Sequence, residues 1–211
     1  MSPARRALAF LFWSLVIYGL FIVPPHGLLT VYRSGLRAVG NVAFRSVGVS
    51  GSARFERFSD SKQSADTTLR LSDRATGARG SMEFRANLVG YRPTVFLAAL
   101  VLTSPIPWRR RGWALLWGSV TVTAFVWLRL WLLIAGMSIS HGEVLAVYSF
   151  GPFAQRVVEA LNKVLVQDAT MGYIVPAFIW LLVTFRKDDW AHISGAAASH
   201  QGESPSLRAR R

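Results

Sequence analysis

The chain has 211 residues, 52% of them hydrophobic and 17% charged, with a formal net charge of +13, a mean hydropathy of +0.32 and no cysteine. That balance is too apolar for an ordinary soluble domain, and the missing thiols exclude disulfides, thiolate zinc sites, iron–sulfur clusters and cysteine nucleophiles. A soluble protein this basic would point to nucleic acid. Beside long apolar runs the charge is better explained by membrane topology and anionic lipid headgroups, so no nucleic-acid partner is expected.

Four apolar stretches organise the chain, and a backbone in hydrocarbon must be helical because nothing there can hydrogen-bond a bare peptide group. The fold class expected is therefore an α-helical polytopic membrane protein with four transmembrane helices, a small extracytoplasmic β-rich insertion and an interfacial amphipathic helix. Residues 1–6, with Arg5 and Arg6, form the N-terminus. The first span covers 7–23. It is long for a signal-peptide core, ends at Pro24, Pro25 and His26 and lacks a small-x-small cleavage site, so it reads as a retained signal anchor.

Residues 24–88 lose the continuous hydrophobicity. Leu28, Leu29, Val31, Tyr32, Leu36 and Val39 fall at mixed helical spacing, which predicts a short interfacial helix over 27–39. Beyond it the period drops to two: Val42 and Phe44, then Phe55, then Leu69 and Leu71, then Met82, Phe84 and Ala86 alternate with polar neighbours. Thr67–Ser72 and Ser81–Leu88 flank Asp73–Gly80 and predict a hairpin with a longer loop, within a sheet of three to five strands. Such a sheet has a thin core and must lean on the membrane, a later loop or a partner. Two readings follow: a solvated β-rich cap, or a docking surface whose open strand edge or arginine-rich face meets another protein.

The second span is placed at 89–108, with Pro105 and Pro107 ending it and Arg92 able to snorkel. A turn at 109–112 carries Arg109, Arg110 and Arg111, and the third span covers 113–137. The loop 138–170 contains an amphipathic helix over 152–167. There Phe153, Val157, Leu161, Val164 and Leu165 share a face, Pro152 suits the first turn, and Glu159 and Lys163 stand four apart. The fourth span is 171–185. The tail 186–211 is rich in Ala, Ser, Gly and Pro, ends Arg-x-Arg-Arg and is expected to be disordered.

Arg5–Arg6, Arg109–Arg111, Arg186–Lys187 and the terminal arginines all fall on one side if the chain crosses four times with both termini in the cytoplasm. The 24–88 loop holds ten basic and five acidic residues, but it is long enough to translocate regardless of charge. The expected location is the bacterial inner membrane.

Arg129, within Trp127-Leu128-Arg129-Leu130-Trp131, is the most pointed residue. A guanidinium at membrane depth needs water, phosphate or a carboxylate, and the four spans contain no Asp or Glu. Three readings stay open: snorkelling to an outer-leaflet phosphate, pairing with an acid on a partner membrane protein, and a buried anion site. Trp127 and Trp131 are positioned in sequence to supply cation–π contact under each. His141 and Glu143 are the only acid/base candidates for a membrane enzyme, with a solvated interfacial loop as the plainer reading. No Walker, Rossmann, nucleophile-elbow or His-Glu-x-x-His pattern occurs, and neither a cofactor nor a metal is expected. Without internal repeats, an inverted-repeat transporter gains no support.

Gly90-Tyr91-Arg92-Pro93, Pro105-Ile106-Pro107-Trp108 followed by Arg109–Arg111, and Trp180 through Trp190 resemble small membrane proteins associated with bacterial exosortase systems. Exosortases resemble cysteine transpeptidases, so a chain without cysteine is not that enzyme. The resemblance implies an accessory protein beside a sorting or envelope-assembly machine. The sequence thus points first to a non-enzymatic accessory or scaffold protein contacting membrane lipids and a membrane-protein partner. A membrane enzyme handling lipid or polyprenyl phosphate, and a small-solute transporter or channel subunit, are the alternatives.

Overall fold

The computed structural model describes residues 3–22, 26–58, 65–140 and 147–185. They form helices α1 (Pro3–Ile22), α2 (His26–Ala43), α3 (Arg92–Thr103), α4 (Trp108–Ser140), α5 (Pro152–Leu161) and α6 (Met171–Thr184). Strands β1 (Gly51–Arg57), β2 (Thr67–Asp73) and β3 (Arg79–Phe84) lie between α2 and α3. The protein is mostly helical with one small three-stranded sheet. Two π-helical turns, Asn87–Tyr91 and Asn162–Gln167, run directly into α3 and out of α5.

The sheet is an antiparallel meander in the order β1-β2-β3. Leu69 sits opposite Phe55 on one side and Met82 on the other. Period-two alternation decides its faces: Ala53, Phe55, Leu69, Leu71 and Phe84 point inward and are buried. The β2–β3 hairpin forms near its predicted place, but β3 runs Arg79–Phe84 and the expected strand end at Leu88 is taken by a π turn, with Gly77 left-handed at φ 73° in the loop. Asp73 holds that loop: its carboxylate accepts from the Ser50 hydroxyl at 2.5 Å, the Ala75 amide at 2.9 Å and the Thr76 hydroxyl at 3.0 Å.

The alternation at Val42 and Phe44 does not make a strand. The 27–39 helix continues to Ala43, so Val42 lies in α2 and Phe44 in the turn after it. Asn41 explains the extension. It stays helical and caps the edge of β1, accepting from the Phe55 amide at 2.6 Å and donating to the Phe55 carbonyl at 3.1 Å.

Helix α4 is the spine. Its 33 residues measure about 50 Å at helical rise. It is long and apolar enough to cross a membrane by itself, and counting each of two bent helix pairs as one span raises the number to as many as three. Those pairs are α1 with α2, bent by 76°, and α5 with α6, bent by 89°. The segment Asn87–Thr103 is apolar but shorter. The N-terminal half of α4 packs on α3 and α6 through Leu97, Val101, Ala114, Val122 and Ile179 while exposing Trp113, Leu116, Trp117 and Val120. Its C-terminal half is enclosed by the sheet and α5: Leu130, Leu133, Ile134 and Met137 join the sheet core, and Leu132 and Ala135 meet Val158.

Helix α3 ends at Thr103, earlier than the span boundary of 108, because a residue preceding proline disfavours the α conformation and Pro105 and Pro107 follow. Helix α4 begins at Trp108 directly after Pro107, so the basic triplet belongs to its first turn and not to a separate turn at 109–112. Polar contacts bind the helices together: Ser14 to Thr103 at 2.6 Å, the Trp180 indole to Ser104 at 2.7 Å and the Tyr91 hydroxyl to the Phe21 carbonyl at 2.8 Å.

The hydroxyl and amide donors around Asp73 hold its carboxyl below the usual carboxylate range, the Ser50 hydrogen bond foremost. A depressed folded pKa means stability that is complete above the unfolded value, about 3.9, and is lost as pH falls through the folded value. Hydrogen exchange of the β2–β3 amides should therefore accelerate below about pH 4, and Asp73→Asn should flatten that acid limb. Leu69→Ala, at a fully buried position, should cost about 2–5 kcal/mol by thermal unfolding at neutral pH.

Candidate functional site: a buried arginine and the cavity beside it

Arg129 lies where α4 passes from its helix-packed half to its sheet-packed half, and it is 3% exposed. Its Nη1 donates to the carbonyls of Val89 at 3.2 Å and Leu88 at 3.3 Å, and its Nη2 donates to the Val166 carbonyl at 3.3 Å. All three acceptors belong to the two π-helical turns. In this position the terminal nitrogens of the guanidinium turn to main-chain oxygens of the protein itself.

Local sequence explains why those carbonyls are free. In an α-helix the Val89 carbonyl takes the amide of residue 93, and in π register the Leu88 carbonyl takes the same amide. Residue 93 is proline and has no N–H. The Arg92 amide, which in α register would serve Leu88, reaches back instead to the Asn87 carbonyl. At the second turn the amide that would serve Val166 is that of Thr170, but it donates to the Asp168 carboxylate at 2.8 Å. The chain has already left the helix at Asp168, where φ is −80° and ψ 111°. Arg129 thus supplies donors to two interrupted helices at once.

Among the described residues neither Trp127 nor Trp131 forms a cation–π pair with Arg129. Residues two apart on a helix face different directions, whereas a residue four earlier shares the face. Phe125 accordingly lies under the guanidinium, its ring centroid 5.6 Å from Cζ. Trp127 packs against Phe44, ring centroids 5.4 Å apart, and Trp131 donates to the Tyr148 hydroxyl at 3.2 Å. The expected cation–π role of Trp127 and Trp131 is therefore corrected to Phe125, and both tryptophans anchor the sheet and the 147–150 segment to α4. His141 and Glu143 lie outside the described residues. Among the described residues no group of three or more His, Asp or Glu side chains is placed to hold a metal.

Beside Arg129 opens a cavity of about 370 Å³, walled by β3, the start of α3, α4 and the α5–α6 bend. Arg85, Arg92 and Arg129 line it, and no acidic residue does. It shares Met82, Leu133, Val166 and Gln167 with a larger groove of about 650 Å³ that runs under α5 past Gln155, Glu159, Asn162 and Lys163. Gly136 lets the π turn after α5 approach, since a Cβ there would collide with the Asn162 amide, which donates to the Leu132 carbonyl at 3.2 Å. Sequence reading missed Arg85, Arg92 and Phe125 as members of this site. Phe125 was findable from its spacing to Arg129, and the Arg92-Pro93 pair marked a helix with an unmet carbonyl.

No family model, curated protein or solved structure matches this chain.

Three hydrogen bonds from a charged donor stabilise by about 1.5–3 kcal/mol each. Removing a guanidinium from water costs several kcal/mol, so the net contribution of Arg129 is small compared with its control of geometry. Arg129→Met strands three carbonyls but also removes the several kcal/mol spent enclosing a cation, so it should lower stability by about 1–3 kcal/mol net. It should nevertheless speed hydrogen exchange at 166–172, because the α5–α6 bend loses its clamp. Unchanged exchange there would show that the guanidinium does not hold the bend.

Proposed function

We propose that this chain is a multi-pass protein of the bacterial inner membrane that crosses it four times, through α1, α3, α4 and α6, with both termini in the cytoplasm. On this reading it is a non-enzymatic accessory or scaffold subunit of an envelope or protein-sorting system, of the kind that accompanies exosortases. The observation that carries it is the outward direction of apolar side chains on the two helices that turn away from α1 and α6. On α2, Val31 is 70% and Val42 78% exposed, and on α5 Phe153 is 82% exposed. A water-facing helix would turn those side chains inward. Here they suit a membrane interface or a partner's apolar surface.

Distances along the spine support the same placement. From Arg111 to Arg129 is 18 residues, about 27 Å of helix, close to the ~30 Å thickness of a bilayer's hydrocarbon core. The basic triplet then sits at the cytoplasmic face, Arg129 at the outer face, and the sheet on the part of α4 that emerges beyond it. Snorkelling is unnecessary, because at that depth the guanidinium is already at the interface. Helix α3 with its π turn is short for a span, about 25 Å, and tolerates this because Arg92 lies at its outer end and the Pro105–Pro107 turn at its inner end.

The cysteine-free sequence makes labelling direct. A single Ala75→Cys in the hairpin loop should react with a membrane-impermeant maleimide in intact spheroplasts, and Gly112→Cys only after permeabilisation. Photo-crosslinking residues placed at Phe153 and Met82 should capture one membrane protein reproducibly in the native host. Adducts with lipid alone at both positions would overturn the scaffold role while leaving the topology intact.

A further inference from the structure

We propose that the 370 Å³ cavity beside Arg129 binds the phosphate of an anionic lipid. Arg85 reaches it from the link after β3, Arg92 from the first turn of α3 and Arg129 from the middle of α4. Three separate elements thus bring three cations to a space about 9 Å across if taken as a sphere. None of the residues lining that space is acidic.

Hydrogen-bond satisfaction and charge neutralisation differ at this site. The carbonyls of Leu88, Val89 and Val166 occupy the terminal nitrogens of Arg129 but leave its full positive charge, and its Nε–H has no acceptor. The described ion pairs are Arg33 with Asp66, and Arg54 and Arg70 with Glu56. The guanidinium groups of Arg85 and Arg92 make no hydrogen bond or ion pair among the described residues. With three arginines and no acid along its walls, the cavity offers an anion positive charge and no competing carboxylate. Guanidinium groups match phosphate oxygens in a planar fork, which makes phosphate the fitting anion.

The remaining walls favour a lipid over free phosphate. Leu88, Val89, Leu133, Met82 and Val166 line the cavity itself with apolar surface. A lipid whose phosphate meets the arginines would rest the start of its alkyl chain against that apolar wall. The volume lies in the range of specific ligand pockets.

The test uses the full chain in phosphatidylcholine nanodiscs, titrated with phosphatidylglycerol or with inorganic phosphate and read by native mass spectrometry and by the shift in unfolding temperature. Phosphatidylglycerol should bind and raise the unfolding temperature, while inorganic phosphate at the same concentration should do neither. Arg85→Gln and Arg92→Gln should each weaken lipid binding about tenfold. Arg54→Gln, on an exposed position of β1, should leave it unchanged. Arg92→Lys, which keeps the charge but loses the fork, should fall between. Photoactivatable phosphatidylglycerol on the unaltered protein, which does not depend on any variant folding, should label peptides containing Met82, Leu133 or Val166. Equal binding of inorganic phosphate would overturn the lipid assignment. Wild-type lipid retention by a folded Arg85→Gln/Arg92→Gln double variant, or labelling confined to α1, would overturn the site.

Discussion

The need of a buried cation for acceptors, met by two broken helices, underlies this structure. Arg129 cannot be enclosed by Leu130, Leu133 and the sheet unless something takes its protons, and the carbonyls of Leu88, Val89 and Val166 do so. The dependence is mutual. Pro93 deprives the first π turn of an amide, and the turn of the chain at Asp168 deprives the second. Each defect would cost about 1–3 kcal/mol per carbonyl if buried without a donor. One guanidinium serves both, which joins the start of α3 and the α5–α6 bend to the same point on α4.

That joint separates two regimes of packing along one continuous helix. Below Arg129, α4 shares a helical interface with α3 and α6 and turns aromatic and aliphatic side chains outward. Above it, the same helix is surrounded and becomes the support of the sheet. The sheet could not stand alone: its buried face amounts to a few side chains, completed by Val126, Leu130, Ile134 and Met137 from α4 and by Val147. Small isolated domains of this kind are marginal, and attachment to a rigid helix removes the problem. The cavity lies at the seam between the two regimes, where sheet, bundle and bent helix cannot all pack closely.

The bends at the ends of α1 and α5 follow from the same division. Helices α1 and α6 run with the bundle, while α2 and α5 turn away by 76° and 89°. Helix α2 then lies against β1, its Asn41 closing the strand edge, and α5 covers the upper part of α4 through Val158. Both retain an outward apolar stripe, and both leave arginine or lysine on flanking faces, as interfacial helices do.

Much of the architecture was legible in the residues. The apolar runs located the four long or apolar helices, the period-two alternation at Leu69, Leu71, Met82 and Phe84 located the hairpin, and Pro152 with its apolar spacing located α5. Local patterns carry such information because they depend on neighbours a few positions away. The misreadings came where local signals were short or ambiguous. Val42 and Phe44 alternate like a strand over too few residues to outweigh the helical spacing before them, and Trp127 and Trp131 looked adjacent to Arg129 in sequence while pointing elsewhere on the helix.

By itself the sequence determined that the chain is helical and apolar, that it carries its basic clusters at the ends of apolar runs, and that Arg129 lacks a carboxylate partner on the same helices. Periodicity, proline position and composition suffice for those statements. Only the tertiary structure decided what Arg129 does with its protons and which side chains face the cavity with it. The acceptors are backbone carbonyls 37–41 positions away, freed by breaks in other helices. A main-chain oxygen has no letter in the sequence, so its availability becomes visible only once the helices are broken and brought together.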